Sequence, residues 1–144
     1  MDVPVSRLFV LASAVCDLIN TAKIVPVTAT IDVVPDKTLE DLSSLLVCVT
    51  PFSFFSERAS RADGIATASV SVMIASPAQP KDFPLLMGYT DFLAAMLEKA
   101  SIPNSTLQKL EFKPVYDSES YLENGLFLSI IRLNYTIMTS IDEQ

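Results

Sequence analysis

The stretch from Leu126 to Met138 constrains this chain more than any other. Phe127, Ile131, Leu133, Tyr135 and Ile137 alternate there with Ser129, Arg132, Asn134 and Thr136. A period near two marks an extended strand with one apolar face. Such a strand belongs inside a sheet, with neighbours on both sides. Before it, Leu110, Phe112, Pro114 and Tyr116 alternate with Glu111, Lys113 and Val115, and the polar turn from Asp117 to Gly125 returns the chain antiparallel. A long hairpin therefore closes the sequence.

The rest supplies partners for that hairpin. From Val5 to Ala22, Leu8, Leu11, Ala12, Val15, Ile19 and Ala22 fall on one helical stripe, with Arg7, Ser13, Asp17 and Asn20 opposite, as an amphipathic helix packed on a sheet requires. Val27 to Val34, bracketed by Pro26 and Pro35, alternates as a half-buried strand. Leu45 to Val49 is apolar on both faces, and Pro51 is expected to stop it. Ser53 to Gly64 reads as an exposed loop or hairpin tip, and Ile65 to Ala75 as a third strand. Asp82 can cap a second helix, Pro84 suits its first turn, and its stripe is Leu85, Leu86, Tyr89, Phe92, Leu93, Met96 and Leu97. Pro103 marks where that helix has ended.

The order is helix, three strands, helix, two strands. It predicts an α+β domain over residues 1–144, a mainly antiparallel sheet of about five strands with two helices packed against it. A chain of 144 residues buries roughly 70% of its unfolded surface, enough for a core without staples. Cys16 and Cys48 read as buried apolar thiols in a reducing compartment, and the sequence leaves a disulfide between them open. Leu8 to Val15 before Cys16 imitates a secretory segment, but Asp2, Pro4 and bulky Val15 break that pattern. No run approaches the about 20 apolar residues of a membrane span.

Composition narrows the chemistry. The absence of histidine removes the commonest general base and the Ser-His and Cys-His nucleophile pairs. With only three glycines, Gly64, Gly88 and Gly125, no phosphate-cradling loop can be written. A net charge of −7 argues against gripping nucleic acid. Asp117, Glu119 and Glu123 lack the further ligands and central glycine of a calcium loop. No cofactor or metal is called for.

Apolar residues make up 50% and charged residues 19%, against about 25% charged in a typical soluble domain. Part of the surface is therefore expected to face other protein. Phe52, Phe54 and Phe55 with Glu57, Arg58 and Arg61 combine residue types enriched at protein interfaces. Phe52 and one other ring completing the core, with the arginines solvated, is an equal alternative. Stacking of single-stranded nucleic acid is a third reading, weakened by the acidity.

The helix Leu8 to Ala22, the stretch Thr38-Leu-Glu-Asp-Leu42 leading to Val47-Cys-Val-Thr-Pro51, the Glu57 to Arg61 segment, the helix around Phe92-Leu93, and Pro114-Val-Tyr116-Asp117 followed by Phe127-Leu-Ser-Ile-Ile-Arg-Leu-Asn-Tyr135 together resemble small tail-terminator or neck (head-tail joining) proteins of tailed bacteriophages. The resemblance covers nearly the whole chain and rests on the order of elements. It implies a structural virion protein of the tail or neck, assembled in the host cytoplasm. Such a protein forms a hexameric ring that caps the tail tube, stops its polymerisation and docks to the head connector or stopper protein. It implies no catalytic residues, and a central channel through which DNA passes unread. The acidic surplus would then repel phosphate in the channel. The turn residues Asp117, Glu119, Tyr121 and Glu123 join the Phe/Arg segment as interface candidates.

Two other classes fit the same residues. A non-viral ligand-binding or regulatory α+β domain would enclose a small-molecule pocket between sheet and helices. A carboxylate enzyme using Asp117 or Glu119 would need a raised pKa in a cleft.

Overall fold

The computed structural model describes residues 7–31, 44–58, 63–103, 105–112 and 125–140. Helix α1 (Arg7–Ala22) leads to a two-residue strand β1 (Thr30–Ile31), then β2 (Leu46–Arg58), β3 (Asp63–Pro77), a short 3-10 turn (Pro80–Asp82), helix α2 (Phe83–Lys99), β4 (Ser105–Phe112) and β5 (Leu126–Ser140). The strands form one mixed sheet in the order β1-β2-β3-β5-β4. β1 runs parallel to β2 and every other pair is antiparallel. This is the expected α+β arrangement, with β5 inside the sheet.

Alternation along β3 and β5 decides which face is buried. Ala66, Ala68, Val70, Val72 and Ile74 on β3 are fully buried, and so are Phe127, Ile131 and Leu133 on β5. They form one core with Leu11, Ala12, Val15, Cys16 and Ile19 of α1 and Leu86, Leu93, Ala94 and Leu97 of α2. Both helices therefore lie on the same side of the sheet. Phe83, at the start of α2, sets its ring 5.7 Å from that of Phe127, tilted by 58°, a favoured aromatic geometry.

Four local expectations are corrected. Ser129 is not on the polar face of β5: it pairs in register with Ile74 and is fully buried on the core side. Strict period two from Phe127 requires this, and Leu128 and Ile130 take the opposite face. Pro51 does not stop β2, which runs on to Arg58. The register shifts between Pro51 and Ser53, and a bulge at that point absorbs the N–H that proline lacks. The expected loop from Ser53 is accordingly strand up to Arg58, and β3 already begins at Asp63. Asp82 does not cap α2 with its side chain; its Oδ2 accepts from the Gln79 N–H, 3.0 Å away, in the preceding 3-10 turn. The reading of Cys16 and Cys48 as buried thiols holds: both are free, on opposite sides of the sheet.

Among the described residues, two carry left-handed backbone. Gly125 (φ +67°) turns the chain into β5, and its carbonyl accepts from the Ala78 N–H at 3.1 Å. Lys23 (φ 54°) ends α1, its N–H reaching the Ile19 carbonyl at 3.3 Å. Of the predicted strand Val27 to Val34, Thr30 and Ile31 pair with Cys48 and Val49; residues 32–34 lie outside the described chain, as do residues 113–116 of the predicted strand before the closing turn.

Candidate interaction surface

The face of the sheet turned away from the helices is ordered into rows by the strand register. Leu46, Ala75 and Leu128 make one row, and Cys48, Met73 and Ile130 the next. Then the chemistry changes. Thr50, Ser71, Arg132 and Glu111 cross four strands in one row, and Ser53, Ser69, Asn134 and Lys109 in the row after it. Thr67, Thr136 and Thr106 follow. Half of this face is thus apolar and half polar, and no described helix packs on it. Cys48, Ala75 and Leu128 are buried there, apart from the main core.

Arg132 is the unusual member. Its register neighbour on β4 is Glu111, yet Glu111 forms an ion pair with Lys109 on its own strand. The Arg132 guanidinium turns the other way, across β3, and lies 3.7 Å from the centroid of the Phe52 ring on β2. A guanidinium over a ring gains roughly 0.5–2 kcal/mol, the upper end when desolvated. Crossing β3 has a cost: Arg132 Nε and Ser71 Oγ are both buried without a hydrogen-bond partner. An unmet buried polar group costs about 1–3 kcal/mol, more for a charged one. Beside them, in the next row, Ser69 Oγ donates to Asn134 Oδ1.

Phe52 is 54% exposed. It does not complete the core, and the guanidinium it meets is that of Arg132. Phe54, Phe55, Glu57 and Arg58 lie in β2, and Arg61, Asp117, Glu119, Tyr121 and Glu123 lie outside the described residues. The sequence reading missed Arg132 as a partner of Phe52. Proline inside a run of strand formers was the available signal, because it marks a bulge and with it a displaced side chain.

No known protein family matches the sequence, and no curated protein matches it. Among solved structures, the chain is similar to the sheath/tube terminator of PVC, an extracellular contractile injection system, determined by cryo-EM in the extended state. The match has a TM-score of 0.48 at 12% identity, and covers 99% of this chain and 60% of that one. The chain therefore spans less than two thirds of the terminator it matches.

A second apolar surface lies on the helical layer. Leu85 and Phe92, one heptad apart on α2, are 60% and 66% exposed, with half-buried Tyr89 and Met96 on the same stripe. Phe9 and Val10 are exposed on α1. The sequence stripe assigned to the core by α2 thus divides: Leu86, Leu93 and Leu97 go inward while Leu85 and Phe92 face out.

Clefts suited to a small molecule are poorly equipped. One of about 400 Å³ is lined by Ile19, Asn20, Lys23, Val25, Pro26, Val27 and Thr28. Its amide, Asn20, is already bonded to both the N–H and the carbonyl of Ala29. Another of about 530 Å³, between Pro77, Lys81 and Gly125, includes Asp82, which is engaged by Gln79. Among the described residues no three His, Cys, Asp or Glu side chains gather as a metal site would need. Nor is any described helix long and apolar enough to cross a membrane. Cys16 donates to the Ala29 carbonyl at 3.3 Å, and burial, with Asp17 nearby, pushes its thiol pKa up despite a hydrogen bond from Asn20, which keeps it unreactive.

Charge is unevenly placed along the chain. Of 17 acidic and 10 basic residues, the described residues hold seven of each. The surplus of seven negative charges thus belongs to residues 1–6, 32–43, 59–62, 113–124 and 141–144 taken together, and the described residues balance.

Proposed function

We propose that this chain is a structural subunit of a tail-terminator-like ring, which caps a tail tube, stops its polymerisation and joins the tail to the head connector or stopper protein. The observation that carries this reading is the presence of two separate, chemically different surfaces on opposite sides of one small domain. The outer sheet face is half apolar and half polar, with an aromatic-backed guanidinium; the α2 stripe is apolar and exposed. A subunit of a closed ring needs two unlike surfaces, because head-to-tail contacts join different patches. Buried aromatic and arginine anchors ringed by neutral polar groups are the usual make-up of such contacts.

In this reading the ring is a hexamer and DNA passes through its centre without being read. A channel wall carrying Asp and Glu would keep phosphate from adhering, because like charges repel. If Glu119 and Glu123 line that channel, lysine at both positions would slow DNA ejection. The site of action is the tail or neck of a virion, and no catalytic group or cofactor takes part.

The test is to mix the purified chain with tail tubes from its source and image them by negative-stain electron microscopy. Six-fold rings seated on tube ends, and tubes that no longer lengthen on adding tube subunits, are expected. Bare tubes that keep growing would contradict the reading.

A further inference from the structure

We propose that the Phe52–Arg132 stack is the receptor for a carboxylate of a second copy of this chain, so that copies associate through the outer sheet face; this rests on the ring reading. Arg132 has the geometry of a receptor that lacks its ligand. Its guanidinium is held 3.7 Å from the Phe52 centroid on a side chain that is only half-buried, and Glu111, the nearest acid in register, is paired with Lys109. A guanidinium fixed against a ring presents its donors in one plane, which suits the fork of a carboxylate and loses little freedom on binding.

Charge selects the occupant. The described residues hold equal numbers of acids and bases, and the entire acidic surplus belongs to residues 1–6, 32–43, 59–62, 113–124 and 141–144. A neighbouring copy thus offers carboxylates in excess, while the anchor contributes a positive charge that forms no ion pair among the described residues. A nucleic acid is the poorer fit. Phosphate binding is built from several cations, and of the two described cations on this face Lys109 is already neutralised.

Sedimentation velocity of the full chain, at low salt and in 0.5 M NaCl, tests the proposal. Wild-type protein should associate at low salt and loosen in high salt. Arg132→Gln and Phe52→Leu should each weaken association about tenfold or more, with melting transitions that show both variants folded. Arg132→Lys should not restore it, because an ammonium lacks the planar fork. A wild-type chain that stays monomeric, or an Arg132→Gln chain that associates as wild type does, overturns the proposal. Binding of a labelled single-stranded oligonucleotide that is lost in Arg132→Gln also overturns it, in favour of phosphate. If Arg132→Gln rings still cap tail tubes, this anchor is removed and the ring reading stands.

Discussion

Asn20 on α1 and Ala29 just before β1 are joined along both sides of one amide. Asn20 Oδ1 accepts from the Ala29 N–H at 2.7 Å, and Asn20 Nδ2 donates to the Ala29 carbonyl at 3.2 Å. The side chain thus acts as a short strand partner for the connection that leaves the helix. Cys16 Sγ adds a second donor to the same carbonyl.

Replacing Asn20 with Ala should lower stability by about 1–3 kcal/mol, because the Ala29 groups lose their partners in a partly buried place. Asn20→Asp should do at least as much harm, since it keeps the acceptor but sets a carboxylate against a carbonyl oxygen. Urea unfolding followed by circular dichroism measures both.

Tyr135 is buried on the core face with its hydroxyl unpaired. Burial raises its pKa to about 12 from the ordinary value of 10. Below pH 10 the phenol is neutral in both states and folding is unaffected. Between about pH 10 and 12 the unfolded chain ionises first, so this group makes stability fall, by up to about 1.4 kcal/mol per pH unit. Tyr135→Phe should remove that part of the alkaline slope. At neutral pH it should be neutral or stabilising by about 1 kcal/mol, because it deletes an unsatisfied group. Thermal melts from pH 8 to 11.5 on both proteins decide the matter; parallel curves would show the burial account to be wrong.

Phe127 is fully buried and joins β5 to α2 through Phe83. Phe127→Ala should cost about 3–5 kcal/mol, the range for deleting a buried ring. Phe83→Ala should cost less, because Phe83 is only half-buried. The double variant should lose less than the sum of the two, since the rings touch each other. Chemical denaturation of the three variants gives the coupling directly.

The sequence disclosed the elements that obey a period. β5, α1 and α2 were legible because their apolar residues repeat along one face, and the place of β5 inside the sheet followed from its length. What period alone could not show was side-chain placement across a bulge. Phe52 lies 80 positions before Arg132, and they meet only because β2 bulges after Pro51 and Arg132 crosses β3. Ser129 was misplaced for the opposite reason: its polarity was given more weight than its parity, although strand geometry puts it beside Phe127 and Ile131. The division of the α2 stripe into buried and exposed leucines depends on where the sheet ends beneath it, which no local pattern encodes.

The central claim is that the chain ends tail growth and joins the tail to the head. Disrupting its reading frame in the source genome, inducing or infecting, and imaging the lysate by negative-stain electron microscopy tests it most directly. Filled heads without tails, beside unjoined tails of abnormal length, are predicted. Normal particles, or a source that makes none, would contradict it.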